Sequence, residues 1–296
     1  MRNSRKSKLV LSAAILTAVL QTGCADLKAV RDYGALGKGV SASFTPLVEE
    51  SGLRCREIFE YRALIGDGRR YDPMSAIETG KKACEKNSEA SKPMLDLSSL
   101  MNDYHDGLIK IAGGDLSSSL SADYTGLGTA IKAVKIEGQA IAAPAAVDAI
   151  NAVAAWLNKV LIAQRQAAEI KDALAQHERV AQIADLLVLY VERNYGGYLK
   201  DATEQTATSR KILEEKEDLD PLAANVVKRE IYLRLESLRE RQKAIAAYKA
   251  ATDKMKKALA ELAATDGKLD GKGQLQVLLE LRKEVQDLYK KVTAAL

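Results

Sequence analysis

The chain has 296 residues, of which 44 are lysine or arginine and 40 are aspartate or glutamate, with only two phenylalanines and one tryptophan. Four of the basic residues, Arg2, Arg5, Lys6 and Lys8, stand at the very front with no acidic residue among them, so the rest of the chain balances at forty charges against forty. A neutral chain this poor in large aromatic rings lacks both the electrostatic footprint and the stacking platforms of nucleic-acid binding, and no nucleic-acid partner is expected.

The basic front is followed by an apolar run from Leu9 to Leu20 that is too short to span a bilayer as a permanent helix, the layout of a secretory signal. The run ends in "TGCA", residues 22–25, and two cuts are open. An ordinary signal peptidase could use Gly23 and Ala25 and discard Cys24. Alternatively, Thr22-Gly23-Cys24 resembles a bacterial lipobox, with the leucine displaced by one residue to Leu20. The resemblance implies a bacterial lipoprotein whose first mature residue, Cys24, carries the lipid. Ala25 after the cysteine implies transfer to the outer membrane, with the body on its periplasmic face. The expected organisation is a signal peptide over 1–23, a membrane-proximal spacer over 24–45, loosened by Gly34, Gly37 and Gly39, and a helical domain over 46–296.

The apolar spacing of Leu47, Val48, Leu53, Ile58, Leu64 and Ile65 predicts a helix, and "GDGRRYDP" at 66–73 reads as a turn before a second helix over 74–87. Cys55 and Cys84 lie fourteen and fifteen residues from Arg69 at the centre of that turn. An antiparallel hairpin brings them to the same height, so a disulfide is expected in an oxidising envelope, the alternative being two free thiols. A separate helix is predicted over 92–112, stopped by Gly113 and Gly114. The serine- and glycine-rich stretch 115–128 is a connection where the domain could subdivide.

Residues 140–163 form the most apolar remaining stretch, but Asp148, Asn151, Asn158 and Lys159 interrupt it, so a buried helix is the better reading. From Ala145 to Arg193 the apolar residues follow one helical stripe, which "YGGY" at 195–198 breaks or bends. After the cap Asp220-Pro221, residues Ile231, Leu235, Leu238, Gln242, Ile245, Tyr248, Thr252, Met255, Leu259 and Leu262 mark a long helix with a coiled-coil-like seam. A turn at 265–273 precedes a last amphipathic helix over 274–295. The fold class expected is all-α, an elongated bundle of long antiparallel helices.

Chemistry-bearing residues are few. His177 falls on the apolar stripe and reads as a satisfied core histidine, while His105 in "NDYHDG" reads as part of a solvated helix segment without ligand company. The carboxylates of "EEKEDLD" (214–220), the arginines of "GDGRR" (66–70) and the pair Glu49–Glu50 read as solvated charges. No nucleotide, metallopeptidase or serine-hydrolase motif occurs, and no catalytic residue, metal or cofactor is expected. These features favour an exported, lipid-anchored envelope protein that binds, spaces or scaffolds. Its expected partners are the membrane, through the anchor, and another envelope protein; self-association through the long helices is a further expectation. A membrane-active protein using residues 140–163, or an enzyme built from scattered carboxylates, are the alternatives.

Overall fold

A computed structural model describes residues 24–65, 71–114, 123–160, 166–215, 220–267 and 272–295. The signal at 1–23, the "GDGRR" turn, the serine-rich part of the 115–128 connection and most of the acidic cluster lie outside the described residues. What is described is all-α apart from one small hairpin. The helices are α1 (Cys24–Ala42), α2 (Phe44–Ile65), α3 (Pro73–Gly113), α4 (Leu127–Ala133), α5 (Pro144–Val160), α6 (Gln166–Leu174), α7 (His177–Tyr190), α8 (Gly196–Glu215), α9 (Pro221–Ala264) and α10 (Lys272–Ala295). A π-helical turn, Val191–Tyr195, joins α7 to α8 without a break. Strands β1 (Lys135–Ile136) and β2 (Gln139–Ala140) pair antiparallel.

Prolines and acidic caps set the helix starts. Pro73 and Pro221 occupy first-turn positions where the missing N–H costs nothing, after Asp72 and Asp220, whose carboxylates accept from Ser75 and Ala223 backbone N–H groups respectively. Gly114 closes α3 in the left-handed region at φ 77°, returning its N–H to Ile111. The stretch 92–112 is not a separate helix: α3 is continuous over 41 residues and contains Pro93. A proline removes one intrahelical bond, and the buried neighbours Ser91 and Met94 show that packing along α3 offsets that loss.

The segment 24–45 is likewise no loose spacer. It is mostly α1, with Val30, Tyr33 and Val40 in the core. The glycines read as loosening residues are contact points. A Cβ on Gly34 would lie 2.8 Å from Ile109 Cγ1, and one on Gly37 would lie 2.3 Å from the His105 ring. Glycine here lets two helix backbones approach where any side chain would collide.

Contacts fix the packing direction. Gly37 meets His105, Ser98 Oγ donates to the Ser41 carbonyl, and Cys55 is bonded to Cys84. As numbers rise along α1 and α2 they fall along α3, so the first two helices lie end to end against one long antiparallel partner. The same holds for α9, where Tyr248 stacks near Phe44, Arg241 meets Glu50 and Arg234 meets Glu57. Forty-four residues give α9 a length of about 66 Å.

The seam of α9 departs from the simple three-and-four reading. Gln242 is exposed, while Ala244, Ala247, Ala251 and Ala258 are buried, because small residues face the tightly packed neighbours. The stripe over 145–193 is divided among α5, α6 and α7, and Gly196 and Gly197 continue the helix rather than stop it. Gly196 is ordinary right-handed helix at φ −59°.

Candidate functional site: a polar cleft beside the π turn

A π turn fits one extra residue into the helical ladder, and such turns recur at functional sites. Here it follows Tyr190 and brings Asn194 to the inner side. Asn194 Nδ2 donates to Ser51 Oγ on α2 at 2.9 Å and to the Tyr190 hydroxyl at 3.1 Å. Tyr190 Oη is 2.9 Å from Ser91 Oγ on α3, and Ser91 donates to the Asn87 carbonyl at 2.7 Å. Because the Ser91 proton goes to Asn87, Tyr190 must be the donor to Ser91. The relay therefore has one direction, from Asn194 through Tyr190 and Ser91 to Asn87. Burial raises the Tyr190 pKa, which keeps the phenol neutral and fit for this double role.

Two adjoining cavities open over this relay. One of about 250 Å³ lies between α3, the π turn and the hairpin, and one of about 460 Å³ continues across Gly196 and Gly197. Their shared wall is Ile136, Glu137, Arg193 and Gly197. The hairpin overhangs them through a two-residue turn in which Glu137 (φ 53°) and Gly138 (φ 80°) are both left-handed, as a tight right-twisted hairpin demands. A Cβ on Gly197 would meet nothing within 4 Å. Glycine inside a helix costs about 1 kcal/mol relative to alanine, and no packing neighbour requires it at this position.

Four charges line the smaller cavity: Lys135 and Glu137 from the hairpin, Arg193 from the π turn and Asp201 from α8. Among the described residues none of them forms an ion pair. Glu192, in the wall of the larger cavity, is held by Lys249 at 2.6 Å, and Lys256 contacts both Asp185 and Asp253.

The histidines exchange the roles that the sequence suggests. His105 is fully buried, with Nε2 3.4 Å from the Tyr33 hydroxyl and Nδ1 3.3 Å from Ser41 Oγ. Desolvation drives its pKa down to about 3, against a raising contribution from the Met101 backbone, so it is neutral in the fold. Ser41 donates its proton to the Gly37 carbonyl. The Ser41–His105 pair thus resembles a nucleophile and base only in composition: both groups are sealed from solvent and the hydroxyl is committed elsewhere. His177 is half-buried at the start of α7, its Nδ1 3.2 Å from the Leu174 carbonyl. The apolar stripe does not enclose it because α6 ends at Leu174 and a turn intervenes.

Glu49 and Glu50 also separate. Glu49 is exposed, whereas the Glu50 side chain is only 6 % exposed and sits between Arg54 and Arg241, each 2.9 Å from Oε1. Arg234 bridges to Glu57 at 2.7 Å and lies 4.1 Å above the Tyr61 ring. Arg54 also contacts Glu57. Cys55 and Cys84 are joined as a disulfide with Cα atoms 6.0 Å apart, and Cys24 opens α1. Among the described residues there is no cluster of three metal-ligating side chains, and no helix long and apolar enough to cross a membrane. Within 140–163, α5 turns Ile150, Val153 and Leu157 into the core.

Sequence reasoning missed the cleft. Its trace is "YGGY", two glycines inside a helical pattern, together with "KIEGQA", whose Glu-Gly pair sits between short apolar and polar alternations. No family model, curated protein or solved structure matches the chain.

Proposed function

We propose that this chain is an exported helical binding module of the bacterial cell envelope, lipid-anchored through Cys24, which acts by binding at the cleft beside the π turn and not by catalysis. The observation that carries the reading is the Cys55–Cys84 disulfide. Such a bridge persists in oxidising compartments and is rare in reducing ones, so it supports export independently of residues 1–24. The anchor and the body are close. Ala29 and Val30 are already buried, and the five residues from Cys24 to Ala29 rise only about 8 Å as helix. An acyl group on Cys24 would hold the bundle against the periplasmic face of the outer membrane without a tether. The cleft and the disulfide lie away from Cys24, beside the N-terminal half of α3, where an envelope partner or ligand would be met.

Intact mass of the protein expressed with its own signal in a bacterium, before and after reduction and alkylation, tests this. A mass starting at Cys24 plus acyl chains, with two thiols appearing only on reduction, is the expected result. A mass starting at Asp26, or one that keeps the full signal, overturns the anchor.

A further inference from the structure

We infer that the cleft over the π turn takes a zwitterion, a free amino acid or short peptide with both termini charged. This deepens the binding reading above and does not depend on the lipid anchor. The smaller cavity carries two cations, Lys135 and Arg193, and two anions, Glu137 and Asp201, and among the described residues none of the four is engaged in an ion pair, whereas Glu192 and Lys200 in the wall of the larger cavity are held by Lys249 and Glu204. Opposite charges free to meet on a flexible surface collapse onto one another, as Lys249 and Glu192 do beside Arg193 at 2.6 Å. Held apart on the hairpin, the π turn and α8, these four instead offer separated sites for an ammonium group and a carboxylate on one ligand. A ligand with a single charge would satisfy one pair and leave the other facing it with the wrong sign.

The walls fit a peptide-like body. The Tyr190–Asn194 relay is neutral and already internally satisfied, so it supplies a rigid polar wall instead of a third charge. The open face of Gly197 lets a main chain lie against the helix without a side chain in the way. The rim residue Glu137 sits in the left-handed region at φ 53°, where asparagine or glycine would be at greater ease. The combined space, about 250 Å³ beside about 460 Å³, is of the size small-ligand sites occupy.

The test is calorimetric titration of the purified full-length protein with alanine, dialanine and trialanine at up to ~10 mM, alongside N-acetylated and C-amidated forms of each. We expect one length to bind best, and either blocking group to weaken it by ~10-fold or more. Arg193→Gln and Asp201→Asn should each weaken the unblocked peptide to a similar degree while erasing the preference for the terminus they face. Both side chains are exposed, and unchanged circular dichroism melting will show that the variants fold. Absence of heat with all three zwitterions overturns the inference, as does equal affinity for blocked and unblocked forms. The mass measurement on the same sample reports on the anchor separately, so either idea can fail alone.

Discussion

The two ends of the bundle are held together by different forces. Around α1 and the C-terminal half of α3, the core is broad and apolar: Tyr33, Leu97, Leu100, Met101, Tyr104, Leu108, Ile150 and Val153 are fully buried, and glycines let the backbones close up. Around α2 and the N-terminal halves of α3 and α9, the buried apolar residues are sparse. Cys55, Ala76, Cys84 and Ile231 are buried but not continuous with the main core. Their place is taken by a disulfide and by Glu50, Arg54, Glu57, Arg234 and Arg241, with Arg234 Nη2 buried and without a hydrogen-bond partner among the described residues. The difference teaches that a helix pair can run continuously through two regimes of stability. A thin bundle that cannot bury enough apolar surface is closed instead by a covalent staple and by charges whose removal is costly.

The largest effect is expected where that ionic closure is broken. Glu50→Ala strips the shared acceptor from Arg54 and Arg241; Arg54 keeps Glu57, but the largely buried Arg241 loses its carboxylate, which costs about 3–5 kcal/mol. Hydrogen exchange should show protection lost in α2, α8 and the first half of α9, with α1 and α10 retaining theirs. Equal loss throughout would mean that the two ends are one cooperative unit and would break the comparison. Reduction of the disulfide comes next. The bridge spans a sequence separation of 29 residues, and opening a loop of that size costs roughly 3–4 kcal/mol. Denaturant unfolding with and without reductant measures it, and proteolysis should cut first near the α2–α3 turn. An unchanged midpoint would show that the ionic network closes this end alone.

How much of this was legible beforehand depends on whether the signal is local. The all-α class, the Asp220-Pro221 start of α9 and the pairing of Cys55 with Cys84 follow from caps, periodicity and distance from a turn. The role of "GALGKG" in α1 does not. Helix propensity sees three glycines as slack, and only the His105 ring on the facing helix turns Gly37 into a contact. Gln242 gives its place in the seam to its neighbour Arg241, which turns onto Glu50, since a step of three or four fixes a face only to within one residue. The cleft was legible only as a break or bend in the helical stripe at "YGGY". That Arg193 and Asp201 stand without an ion pair among the described residues is a matter of where a hairpin 53 residues or more upstream comes to rest, and no local pattern encodes it.

The smallest effect belongs to the apolar end and sharpens the contrast, because there the stability depends on keeping a polar group uncharged. His105 titrates near pH 3 in the fold and near its ordinary value of about 6.5 when unfolded. Between those values the unfolded chain binds a proton that the folded chain refuses. The contribution of the neutral ring is therefore complete above about pH 6.5 and is withdrawn as the pH falls toward 3. From pH 7 to pH 5 the loss amounts to about 2 kcal/mol. His105→Gln keeps a polar side chain opposite Tyr33 and Ser41 but cannot titrate, so its unfolding free energy should be flatter over that interval whatever its absolute level. Carboxylates with ordinary pKa values change little above pH 5, which isolates the histidine. A variant with the same slope as the parent chain would mean that His105 already finds a proton and a partner in the fold. The core around α1 would then be wetter than its packing implies, and the two ends less different.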